Sequence, residues 1–200
     1  MNKIPITLIY SRLALGLAIV VLSVLHVNNY KLIAILFFSI GLLTDIFDGI
    51  IARHLNISNV SLRRLDSTID QIFFISFVIA TYIQCPVFFK INSLKLTILF
   101  ASEGLAYLVC FIKFRKEIAT HSIGAKVWTI LLFATLVQII LQCQSVGLFN
   151  ICFYVGILTR LEIIAIIFSL KNWTNDVPSI YHSVKLRRGE EIKRHKMFNG

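Results

Sequence analysis

The sequence predicts an all-α, polytopic integral membrane protein with about six transmembrane helices and both termini in the cytoplasm. Three observations carry this. Apolar residues make up 57% of the 200 positions, and the mean hydropathy is +0.80, more than a water-soluble core requires. They gather in six stretches, most of them close to the twenty residues needed to cross the hydrocarbon layer. The bases behind the net charge of +10 sit in loops and in the tail. Topology and anionic phospholipid explain that placement better than nucleic acid does, so no nucleic-acid partner is expected.

The first span is residues 8–27, with Arg12 inside it and no small-residue cleavage site, so it reads as an uncleaved helix. A polar break at 26–31 leads to the second span, 32–51, whose end carries Asp45 and Asp48. Residues 53–65 read as a connecting loop, with Asn56, Ser58, Asn59 and Ser61 as turn and capping residues. Asp66 then opens the third span, 66–83, with Asp70 one turn deeper. Residues 86–95 read as a turn, 96–114 as the fourth span with Glu103 near its middle, and 125–141 as the fifth. An uncharged turn precedes the sixth span, 151–170, which holds Arg160 and Glu162. Arg160 could pair with Glu103 or line a ligand pocket. Residues 1–171 thus form one membrane domain and 172–200 a basic cytoplasmic tail, where Trp173 and Tyr181 suit the interface and a short amphipathic helix is expected. Cys85, Cys110, Cys143 and Cys152 form no C-x-x-C pair and read as small apolar packing residues, with a disulfide as the lesser alternative.

Six spans place both termini on one side. Arg53, Arg63, Arg64, Lys113, Arg115, Lys116, Lys185, Arg187 and Arg188 fall on that side, against Lys31, Lys90 and Lys95 opposite. The positive-inside rule makes the richer side cytoplasmic.

The functional signal lies between Asp45 and Asp70. On helices, Asp45 and Asp48 are three residues apart and Asp66 and Asp70 four apart, so each pair shares a face. Four acids at a membrane junction are costly and mutually repelling unless cations compensate them. Hard divalent cations, Mg²⁺ or Mn²⁺, are the natural partners of carboxylate oxygen. Gly49 and Ala52 leave room for a ligand against the backbone, and Arg53 offers a planar fork for phosphate.

The pattern D-x2-D-G-x2-A-R-x8-G-x3-D-x3-D, matched by Asp45, Asp48, Gly49, Ala52, Arg53, Asp66 and Asp70, resembles the signature of the CDP-alcohol phosphatidyltransferase family. Leu62 departs from it, standing at the second glycine, which bears on nucleotide contacts and donor specificity. The lead-in KIPITLIYSRLALG is similar to the family's first helix, where an arginine faces the active-site cavity; Arg12 is accordingly a candidate for phosphate. The opening of the fifth span, AKVWT, is similar to a family feature G-K-x-K-T: Lys126 and Thr129 match, Ala125 and Trp128 depart.

The resemblance implies an enzyme of phospholipid biosynthesis, similar to the phosphatidylglycerophosphate-forming members. It would transfer a phosphatidyl group from CDP-diacylglycerol to a small alcohol, glycerol 3-phosphate by default, and release CMP. Two Mg²⁺ or Mn²⁺ ions would be held by Asp45, Asp48, Asp66 and Asp70, with Asp70 as general base. The nucleotide would lie on Gly49, Ala52 and Arg53, and the acceptor near Lys126, Arg160 and Arg12. A homodimer in a bacterial inner membrane, with the site facing the cytoplasm, is also implied. The alternatives are a non-catalytic CDP-lipid-binding relative, favoured by Leu62, and a divalent-cation transporter, which explains the acids but not the Gly49, Ala52 and Arg53 spacing.

Overall fold

A computed structural model describes residues 4–54, 60–116, 118, 122–174, 177–190 and 192; of residues 4, 46, 49, 52–54 and 60–64 it describes the backbone only. Every regular element among them is a helix: α1 Ile4–Val24, α2 Tyr30–His54, α3 Val60–Gln84, α4 Pro86–Ile91, α5 Ser93–Phe114, α6 Ile123–Gln142, α7 Gly147–Ser169 and α8 Ile180–Arg187. Five of these, α1, α3, α5, α6 and α7, are long and apolar enough to cross a membrane. Their outward faces carry Leu17, Val21, Ile75, Phe111, Ile112 and Leu158 more than half exposed, as a surface solvated by lipid demands. The protein is an integral membrane protein.

The helices begin and end where backbone chemistry allows, which is not always where hydropathy changes. α1 starts several residues before the apolar run, with Pro5 in its first turn, where a missing N–H costs nothing. The expected loop 53–65 is shorter: Arg53 and His54 are still helical, and α3 has begun by Val60. Asp66 therefore lies inside α3, while still standing at the start of its membrane-spanning part, Leu65–Gln84. Hydropathy marks where lipid contact starts, whereas Arg63 and Arg64 are polar yet good helix formers, so the helix extends past the apolar boundary. Likewise 86–91, expected as a turn, is the short helix α4. The tail's expected helix is α8, but its apolar and polar residues are spread around it rather than divided between two faces.

The chain divides into two compact units, residues 1–89 with 136–144, and residues 90–135 with 145–200. In the first, α1, α2 and α3 pack around an aromatic stack. Phe38, Phe73 and Phe77 are buried, and the Phe38 and Phe77 rings lie parallel at 4.3 Å between centroids. Glycines set this packing. A methyl group on Gly41 would stand 2.1 Å from Cζ of Phe73, and one on Gly16 would stand 3.3 Å from the Ser76 side chain. The end of α6 belongs to this unit: Lys31 Nζ donates to the Leu141 carbonyl at 2.7 Å, and a disulfide joins Cys85 to Cys143. The disulfide corrects the reading of all four cysteines as packing residues. The ends of α3 and α6 meet in space although 58 residues separate them in sequence, a pairing no local spacing reveals. Cys110 and Cys152 are free and buried, as expected.

In the second unit, Ala106 and Cys110 of α5 pack on Ile163 and Ile167 of α7, and Ile166 and Leu170 enclose Val177. Lys113 closes the end of α7 by donating to the carbonyls of Ile167, Phe168 and Leu170 at 2.7–2.9 Å, where the helix dipole favours a cation. Lys116 stands over Trp173 and Lys185 over Tyr181 at about 5 Å, each a cation–aromatic pair.

Candidate active site

All four acids of the motif lie in the first unit, two on α2 and two on α3. Carboxylate oxygens of Asp45, Asp48 and Asp66 come within 4.8 Å of one another, a spacing that suits ligation of one cation. The helical spacings deliver them: three residues on α2 and four on α3 return to the same face, and α2 and α3 each pack against α1 while the Phe38, Phe73 and Phe77 rings bridge α2 and α3.

Arg12 enters this group from α1 and is its centre. One terminal nitrogen, Nη1, donates to Asp45 Oδ1 at 2.8 Å and to Asp70 Oδ1; the other, Nη2, donates to Asp48 Oδ2 and Asp66 Oδ1. Each nitrogen thus bridges one acid of α2 and one of α3. The exposure is graded. The side chains of Arg12 and Asp48 are 1% and 3% exposed, while Asp45, Asp66 and Asp70 keep 30–40%. The cluster therefore has a closed floor and an open mouth. The Arg12 Nε–H is buried with no hydrogen-bond partner among the described residues.

Charge decides what such a site can hold. Four carboxylates and one guanidinium leave three uncompensated negative charges in a low-dielectric setting, where like charges repel strongly. The donor set is all carboxylate oxygen, which fits Mg²⁺ or Mn²⁺. Two divalent ions would turn the deficit into a single positive charge, suited to a diphosphate.

Other expected site residues lie elsewhere. Gly49, Ala52 and Arg53 are on the last turns of α2, next to the acids in sequence, but their side chains, like that of Leu62, are outside the described residues. Lys126 is exposed in the first turn of α6, in the second unit. Arg160 is buried there on α7: its Nε donates to Glu103 Oε2, and its guanidinium lies 3.8 Å from the centre of the Trp128 ring. Trp128 is held in turn by its Nε1–H, which donates to the Cys152 carbonyl at 3.1 Å. Of the two readings of Arg160, the pairing with Glu103 is the one present. Trp128, the departure within AKVWT, supplies the ring beneath Arg160, a contact that its local sequence does not signal. For Arg12 the available signal was arithmetic: a lone cation in the first span of a chain whose next two helices carry four acids.

The family model described as CDP-alcohol phosphatidyltransferase matches residues 2–170, most of the chain. No curated protein and no solved structure matches it.

Proposed function

The chain belongs to the CDP-alcohol phosphatidyltransferase family, and from that premise we propose that it transfers a phosphatidyl group from CDP-diacylglycerol to a small alcohol, with glycerol 3-phosphate as the first acceptor to test. The observation that carries this reading is the convergence of four carboxylates from two helices on one partly open site. Asp45, Asp48, Asp66 and Asp70 would hold two divalent cations, Mg²⁺ or Mn²⁺, which neutralise the diphosphate and stabilise departing CMP.

The chain's own residues do the rest. Gly49 and Ala52 let the nucleotide lie against the end of α2, and Arg53 binds its phosphates. The acceptor hydroxyl oxygen attacks the lipid-side phosphorus. The bond from that phosphorus to the bridging oxygen breaks, and CMP leaves with the electron pair. Asp70, on α3 and 30% exposed at the mouth, receives the hydroxyl proton. Lys126 is the candidate for the acceptor's phosphate, whereas Arg160 is committed to Glu103 and Trp128. In this reading α2 is the sixth span, residues 1–171 form the membrane domain, and residues 172–200 form a cytoplasmic tail. The site faces the cytoplasm of a bacterial inner membrane, where phosphorylated alcohols and CMP are soluble, and the enzyme works as a homodimer.

The test is CMP release from CDP-diacylglycerol by purified protein with Mg²⁺ or Mn²⁺, each acceptor offered separately and Asp70→Asn as the blank. Release with one acceptor names the reaction and shows that Leu62 is tolerated. Metal-dependent CDP-lipid binding without release under any acceptor would favour the non-catalytic relative, and cation flux without release would favour transport.

A further inference from the structure

We infer that Arg12 is an internal counter-cation which competes with the divalent metals for the four acids, so that metal loading hands its guanidinium to the diphosphate. The inference rests on the metal-dependent reading above. Its geometry is specific: Nη1 bridges Asp45 and Asp70, Nη2 bridges Asp48 and Asp66, and the side chain is 1% exposed. The two terminal nitrogens thus occupy the space between the α2 and α3 carboxylates, space that an ion held by Asp45, Asp48 and Asp66 would also need. Arg12 engages one oxygen of each acid, so a divalent ion held by the same carboxylates stands close to the guanidinium, and the two charges repel.

Two consequences follow from elementary electrostatics. Before metal binds, Arg12 offsets one of four negative charges and keeps α2 and α3 from separating under their repulsion. Metal binding weakens the guanidinium's hold on its carboxylates through that repulsion, and the guanidinium carries an Nε–H already buried without a partner among the described residues. A buried donor of this kind is costly to leave unpaired. A phosphate accepting from Nε and one Nη as a bidentate fork would satisfy it and replace the weakened ion pairs. Metal and diphosphate binding are then coupled through one side chain, each raising the affinity for the other.

The experiment titrates Mn²⁺ into purified wild type, Arg12→Gln and Arg12→Lys in lipid nanodiscs, following free Mn²⁺ by electron paramagnetic resonance, with and without cytidine 5′-diphosphate. Without nucleotide, Arg12→Gln should bind Mn²⁺ at least about tenfold more tightly than wild type, because the competitor is gone. Nucleotide should raise the Mn²⁺ affinity of wild type severalfold more than that of Arg12→Gln, where only direct metal–phosphate contact couples the two. Equal or weaker Mn²⁺ binding by a folded Arg12→Gln protein overturns the proposal. If that variant does not fold, Arg12→Lys decides: it keeps the competing charge but lacks the fork, so its Mn²⁺ affinity should match wild type while the nucleotide effect shrinks. An undiminished nucleotide effect in Arg12→Lys overturns the proposal. Wild type that binds no Mn²⁺ sinks the metal-dependent reading together with this one, whereas wild type that binds Mn²⁺ with Arg12→Gln unchanged sinks this one alone.

Discussion

Among the described residues two arginines are buried inside helices, and their surroundings differ in one respect that matters. Arg160 in the second unit meets one carboxylate, Glu103, and rests on the Trp128 ring, so its charge is balanced on the spot. Arg12 in the first unit meets four carboxylates and balances only one of them. A neutral pair in a membrane protein is a structural solution, replaceable in principle by apolar side chains of similar volume. A cluster left three charges short when all four acids are ionised is one that further cations stabilise. The comparison therefore separates a packing device from a candidate catalytic centre without reference to sequence motifs.

The sharpest way to break this comparison is at Asp70. Asp70→Asn removes the proton acceptor and should lower turnover by about a thousandfold or more, while CDP-lipid binding changes by only a few-fold. CMP release and equilibrium binding measured on the same preparation check it; equal loss in both would assign Asp70 to metal retention. Next in size is Gly41→Ala. The new methyl would collide with the Phe73 ring and shift α3, which carries Asp66 and Asp70, relative to α2. A displacement near 1 Å in a reacting geometry costs about a hundredfold, so turnover should fall tenfold to a hundredfold, and Phe73→Leu should restore most of it in the double variant. A double variant no better than Gly41→Ala would show that the loss does not come from the ring.

The second unit should respond in stability rather than in turnover. Glu103→Leu strands Arg160 and should destabilise the protein by about 3 kcal/mol, a value at the low end for a broken pair because the Glu103 side chain is 41% exposed. Adding Arg160→Met should recover most of that loss, as read by thermal unfolding in nanodiscs. A rise in acceptor KM in the double variant would instead return Arg160 to the acceptor pocket. The smallest functional effect belongs to the disulfide. Cys85→Ser opens a loop of 58 residues and should cost about 2–4 kcal/mol of stability, yet leave turnover at low temperature unchanged, since Cys85 sits 15 positions along the chain from Asp70. A large drop in kcat at low temperature would tie the disulfide to the site.

Much of this was legible in advance for definite reasons. Apolar runs of about twenty residues report membrane helices because the hydrocarbon layer admits little else. Asp45, Asp48, Asp66 and Asp70 were legible as a set because helical period puts each pair on one face, and because uncompensated acids are rare in spans. Helix ends were less legible: 53–65 read as a loop because its residues are polar, although polar residues such as Arg63 and Arg64 extend a helix readily.

Sequence alone determined composition, helical period and the local clustering of charge, and with them the membrane class, the helices and the four acids. The tertiary structure decided which distant side chains meet: Arg12 with all four acids, Arg160 with Glu103 and Trp128, Phe73 against Gly41, and Cys85 with Cys143. Period and hydropathy are properties of one helix. Partnership between helices depends on their packing and rotation about one another, which no single stretch of chain encodes.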